Sequence, residues 1–196
     1  MIAFIRGQIV FKDPSHLIID VNGIGHEVRI SLNTYSEIGE KEEVFLHTHF
    51  HVKEDSHTLY GFNDKKEKMV FQQLISISGV GPNTALMLLS SLKSSDLMTA
   101  IVNSQVSVIQ AVKGIGAKTA QRIILELKDK LPDELLENSS LNSSGTDNTM
   151  RSEALSALLT LGYTKAAAEK AIDNVMRDKG TNIRLEELIK SVLKSA

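Results

Sequence analysis

The 196-residue chain contains no cysteine, which excludes disulfides, thiolate metal sites and cysteine nucleophiles. It lacks any apolar run long enough to span a bilayer. Its start, Met1-Ile2-Ala3-Phe4-Ile5-Arg6, passes straight into alternating residues without a secretory layout. The expectation is a cytoplasmic protein that avoids membranes. The Gly-x-x-x-x-Gly-Lys-[Ser/Thr] loop of nucleotide hydrolases does not occur either, so any ATP hydrolysis must come from a partner. Net charge is also scarce, at −2, which at first argues against a polyanionic partner.

The distribution of charge reverses that argument. Residues 1–63 carry five basic and nine acidic side chains, whereas residues 64–131 carry nine basic against five acidic. Residues 132–150 hold four acids and no base, and residues 151–196 hold eight bases and six acids. The basic block (Lys65, Lys66, Lys68, Lys93, Lys113, Lys118, Arg122, Lys128 and Lys130) has the sign expected of a phosphate-binding surface.

Within that block lie two glycine hairpins, Gly79-Val80-Gly81-Pro82-Asn83 and Gly114-Ile115-Gly116-Ala117-Lys118, their first glycines 35 residues apart. Each sits between apolar helical runs and opens a new helix. Glycine at both ends permits positive φ and leaves the backbone open to an approaching ligand. The free N–H groups and positive dipole end of the following helix then suit a phosphate, bound without reading a base. A single Gly-x-Gly loop is weak evidence, since many merely cap helices; a duplicated one points to nucleic acid. Lys118 and Arg122 share one helical face beyond the second hairpin and are expected to add charge-assisted contacts.

Around the hairpins the chain reads as α+β and multidomain. Residues 1–63 hold five strand patterns: Ile2–Phe11, His16–Val21, Ile24–Ser31, Glu43–Lys53 and Thr58–Phe62. With Asn22-Gly23 as a type I′ turn and a short helix near Leu32–Ile38, they suit an OB-fold barrel. Residues 64–131 turn helical, with helices at Lys65–Ile77, Asn83–Leu92, Leu97–Val102 (capped by Ser94-Ser95-Asp96), a turn from Ser107 to Val112, and Ala117–Leu131 ended by Pro132. Residues 132–149 are polar, acidic and rich in Ser and Asn, the composition of a flexible linker. Residues 150–196 form a three-helix pattern: Ser152–Leu161, Lys165–Arg177 capped by Thr164, and Leu185–Leu193.

Met1-Ile2-Ala3 with Ile5 and Gly7, the stretch Lys53-Glu54-Asp55 ahead of Leu59-Tyr60-Gly61-Phe62, and both hairpins in Ser78–Pro82 and Val112–Ala120 resemble the RuvA family. This family binds Holliday junctions for bacterial branch migration in recombination and repair. The resemblance covers the whole chain and implies an OB-fold, a tandem helix-hairpin-helix domain and a C-terminal UBA-like bundle. It also implies a homotetramer that holds a four-way junction open and square-planar. Gly79, Gly81, Asn83, Gly114, Gly116, Lys118 and Arg122 would then contact DNA. Glu54 and Asp55 would form an acidic pin that repels continuous duplex. The C-terminal module would dock the RuvB hexameric ATPase, through Leu158, Leu159, Leu161 and Tyr163. RuvC resolvase is an implied further partner, and one or two tetramers per junction both remain open. No cofactor is implied, ATP and Mg being used by the partner motor. Asn83 departs from the lysine that often follows the proline in this family; it can donate a hydrogen bond but brings no charge.

Two other readings stand beside this one. The second hairpin also resembles that of DNA glycosylase/lyases, in which the residue matching Lys118 attacks the sugar; their catalytic aspartate would fall near Asp133, in the linker. A generic DNA adaptor without junction preference is the other. His47, His49 and His51 alternate on one strand face but lack partners at ligand spacing, so they read as a half-exposed strand face and no metal site is expected.

Overall fold

The period-two alternation of the first third closes into a five-stranded barrel in the computed structural model, which describes residues 1–128, 146–180 and 183–194. The strands are β1 (Phe4–Lys12), β2 (His16–Val21), β3 (Ile24–Ile30), β4 (Glu43–Val52) and β5 (His57–Phe62), with α1 (Leu32–Ile38) between β3 and β4. Their order is β1-β2-β3-β5-β4, with β4 returning to pair β1. Every pairing is antiparallel except β3 with β5. This is the OB-fold. Asn22 and Gly23 take φ of 53° and 87°, the two left-handed residues of a type I′ turn.

Alternate residues of each strand fill the barrel: Ile5, Leu17, Ile19, Val28, Ile30, Val44, Leu46 and Leu59 are buried there. Gly61 faces this interior, where a Cβ would lie 2.5 Å from Val28 Cγ1 and 2.9 Å from Leu46 Cδ1. Only glycine fits at that point.

The change to a period of 3.6 marks the helical part. It comprises α2 (Lys65–Ile75), α3 (Pro82–Ser91), α4 (Ser94–Val102), α5 (Val106–Gln110) and α6 (Ala117–Lys128). Asp64 caps α2 by accepting from the Lys66 N–H. The cap of α4 differs from expectation: Lys93 occupies the N-cap without a side-chain bond, and Ser94, Ser95 and Asp96 form the first turn. There the Asp96 carboxylate complements the helix dipole instead of capping it.

The barrel and these helices pack into one compact unit, Met1–Ser140. Phe71 of α2 is the wedge, its ring 4.9 Å from Phe62, 5.0 Å from Tyr60 and 5.5 Å from His49. Beside it the Glu67 carboxylate is buried and accepts hydrogen bonds from the hydroxyls of Ser31 and Thr34. The Ser31 oxygen in turn accepts the Thr34 N–H at the start of α1, and Thr34 Oγ1 accepts the Asn63 N–H. One carboxylate thereby ties α1 of the barrel to α2.

The second unit, Leu141–Ala196, contains α7 (Thr146–Thr160), α8 (Lys165–Lys179) and α9 (Leu185–Lys194). It has its own core of Ala154, Leu158, Ala168, Ile172, Val175, Ile183, Leu188 and Val192. Thr164 caps α8, its hydroxyl oxygen accepting the Ala167 N–H. Helix α7 starts at Thr146, six residues before the expected Ser152. Most of the expected linker, and the stop of α6 at Pro132, lie outside the described residues.

Candidate nucleic-acid interface

The two hairpins are built alike, bond for bond. In the first, the Ile77 N–H donates to Leu74 O at 3.1 Å and the Val80 N–H to Ile77 O at 3.0 Å. In the second, Val112 donates to Ile109 O at 3.2 Å and Ile115 to Val112 O at 3.1 Å. Val80 and Ile115 plug the core, as do the other pairs at the same 35-residue offset: Leu74 with Ile109, Ala85 with Ala120, Leu88 with Ile123. The repeat is therefore a duplicated packing unit, and the glycines are held at its surface by buried neighbours.

The glycines divide into two roles: of the positive φ that glycine permits at both ends, only the first glycine of each hairpin makes use. Gly79 and Gly114 take φ of 88° and 87°, a region costly for any residue with a Cβ. Gly81 has an ordinary φ of −82° and serves as the N-cap of α3, without a side-chain cap bond. Gly116 holds the matching place before α6 and accepts the Ala120 N–H at 3.0 Å. A Cβ on Gly81 or Gly116 would meet nothing within 4 Å. Neither conformation nor packing demands glycine at these two positions, and its effect is to leave the first amides of α3 and α6 bare to solvent.

Lys118 is exposed in the first turn of α6 and makes no hydrogen bond or ion pair among the described residues. Arg122 is also exposed, but its Nη1 donates to the Ser78 carbonyl of the first hairpin at 3.0 Å. Helical spacing showed its face and gave no sign of this crossing. Lys128, on the same helix, is held by Ser104 Oγ at 3.0 Å. Asn83 lies in the first turn of α3, where it also lines a cleft of about 600 Å³ against Ser15, His16 and Arg29 of the barrel. Pro82, at the first helical position, contributes no N–H, so the first cradle has one donor fewer than the second, where Ala117 stands.

Glu54 and Asp55 form the exposed tip between β4 and β5, closed by the Lys53 N–H donating to Ser56 O at 2.8 Å. No cation pairs with either carboxylate among the described residues. The four C-terminal residues separate. Leu158 is fully buried, which corrects its assignment as a partner contact, and Tyr163 packs on the same core. Leu159 and Leu161 are exposed.

His47, His49 and His51 do share one face of β4, and α2 docks there: the His49 ring packs against Phe71 at a tilt of 60°, and burial holds its pKa below the usual 6.5. Among the described residues no group of three or more His, Asp or Glu is placed to hold a metal ion, and no single helix is long and apolar enough to cross a membrane. Sequence reasoning missed Glu67. Its only signal was an acid on the apolar side of α2, which reads equally as a solvated helix face.

Family comparisons agree with this architecture. The RuvA N terminal domain matches residues 1–61, the SAM-like helix-hairpin-helix tandem matches 71–129, and the RuvA C-terminal domain matches 149–196. The chain is 50% identical to a protein of Cytophaga hutchinsonii over 99% of both chains, and 47% identical to one of Christiangramia forsetii over 99% of both. It is 44% identical, over the full length of each, to one of Flavobacterium psychrophilum. All three relatives are named Holliday junction branch migration complex subunit RuvA. With three domains matched in order and relatives similar from end to end, the chain belongs to the RuvA family.

Proposed function

We propose that this chain binds four-way DNA junctions through their sugar–phosphate backbones, without reading sequence, and acts as the non-motor subunit of a branch-migration complex. The observation that carries this reading is the duplicated hairpin: two uncapped helix starts in one basic segment, each entered through a glycine that the fold itself does not require. Such starts suit phosphate and carry no base readout.

Each hairpin neutralises few phosphates, so one subunit binds weakly and with strong salt dependence. A homotetramer makes the later contacts intramolecular and multiplies the affinity. In that assembly Glu54 and Asp55 face the crossover as an acidic pin, and the junction arms stay open and square-planar. The C-terminal unit recruits a RuvB ATPase, which uses ATP and Mg, through its exposed Leu159 and Leu161, while this chain needs no cofactor. RuvC resolvase acts on the same junction, and the complex works in the cytoplasm.

Fluorescence anisotropy with a four-way junction and a linear duplex of equal length, joined to light scattering of the free protein, tests the reading. The expected result is a tetramer with a preference for the junction of at least about tenfold, a difference of roughly 1.4 kcal/mol. Equal affinity for the two DNAs would favour a general adaptor. A borohydride-trapped adduct of Lys118 with abasic DNA would favour a lyase.

A further inference from the structure

The 35-residue repeat sets matching positions of the two units side by side, and two of them cross over. Met87 of α3 and Arg122 of α6 occupy equivalent places. Met87 reaches the second hairpin, its Sδ 3.8 Å from where a Cβ on Gly114 would stand. Arg122 reaches the first, with Nη1 3.8 Å from the corresponding point on Gly79 and 3.0 Å from Ser78 O. Each unit thus lays one side chain against the other unit's hairpin.

The charges at the hairpins are unequal. Where the second carries Lys113 and Lys118, the first has Ser78 and Asn83, so the first hairpin has no cation of its own. We infer that Arg122, though borne by the second unit, is the phosphate-binding cation of the first hairpin. The Ser78 carbonyl fixes one of its five N–H donors and brings no counter-charge. No carboxylate pairs with Arg122 among the described residues, so no counter-charge offsets the guanidinium beside the Gly79-Val80-Gly81 turn. The same bond links α6 to the backbone of the opposite hairpin. This inference rests on the phosphate-grip reading above and deepens it by assigning a cation to each grip.

The test is a double-mutant cycle on the full chain, read as junction affinity and its salt dependence. Gly81→Thr and Gly116→Thr each disable one hairpin, since a threonine N-cap accepts the amide that a phosphate would take. Arg122→Gln alone is expected to weaken junction binding about tenfold and to lower the salt slope by about one phosphate for each bound subunit. In the Gly81→Thr background its effect should shrink below about twofold, because the grip it serves is already lost. In the Gly116→Thr background the tenfold loss should persist. Asn83→Lys, which returns a cation to the first hairpin, should rescue Arg122→Gln.

The reverse pattern, with the loss absorbed by Gly116→Thr, would overturn the assignment and return Arg122 to its own hairpin. An unchanged salt slope, or equal losses in both backgrounds without rescue by Asn83→Lys, would also overturn it. Failure of the unsubstituted chain to bind junction would instead overturn the phosphate-grip reading itself, and this assignment with it.

Discussion

At Gly81 and Gly116 neither backbone conformation nor packing calls for the absence of a side chain. Serine, threonine, aspartate and asparagine make the best N-caps because their oxygens accept the first free amides. Those same residues would close each helix start to the external phosphate proposed above. Gly116→Thr is therefore expected to leave the thermal midpoint unchanged or raised while junction affinity falls about tenfold, roughly 1.4 kcal/mol, as read by melting and anisotropy on the same preparation. Gly114→Ala should do the opposite to stability: with φ at 87°, a Cβ costs about 1–2 kcal/mol, measurable by urea denaturation. Gly61 answers to packing alone. An added methyl collides with Val28 and Leu46 inside the barrel, so Gly61→Ala should lower the stability of the first unit by roughly 1–3 kcal/mol.

Among the elements, α2 joins the hairpins to the barrel beside the hydrogen bonds from Leu32 and Asn33 of α1 to α3, and its contact is both aromatic and titratable. Burial raises the Glu67 carboxyl above its usual 4.5, against the lowering effect of the Ser31 and Thr34 hydroxyls. The folded protein therefore holds this proton more tightly than the unfolded chain. Stability contributed by the neutral acid is fully present below 4.5 and declines as pH rises through the raised folded value. His49 runs the other way: desolvation, then His51 and Lys68, hold its pKa below 6.5, so its protonation on acidification opposes folding. Glu67→Gln keeps a neutral hydrogen-bonding group in place and should remove the decline. Urea denaturation at a series of pH values from 4 upward should show a flatter rise to the acid side for the variant, and an unchanged curve would refute the account.

For the whole molecule, two properties belong to the assembly of parts. The first is the separation of cores: Leu158 lies in a core of its own within Leu141–Ala196, apart from those of Met1–Ser140. Leu158→Ala should cost about 2–5 kcal/mol in that unit while leaving the calorimetric transition of the first unit in place. The second is the proposed discrimination among DNA shapes. Glu54 and Asp55 sit at a hairpin tip without a cation partner among the described residues, in a protein proposed to bind phosphate. On the proposed reading, repulsion there would penalise any strand path that crosses the tip, over a Debye length of about 10 Å. Neutralising both, as Glu54→Gln with Asp55→Asn, should tighten linear-duplex binding several-fold and narrow the preference for the junction in a competition assay.

Strand and helix periods, the Asn22-Gly23 turn, the two glycine hairpins and the order of the domains were written in local sequence, because each depends on neighbours within a few residues. So was the charge contrast between residues 1–63 and 64–131. Tertiary structure alone decided which glycine of each pair is a conformational need and which is an opening, since that turns on φ and on the space around a Cβ. It also decided that Glu67 is buried, that Leu158 is core where Leu159 and Leu161 are surface, and that Arg122 lies at the opposite hairpin. Those facts arise between residues tens of positions apart, where a helical face can be read from spacing but the element it meets depends on the packing of the whole unit.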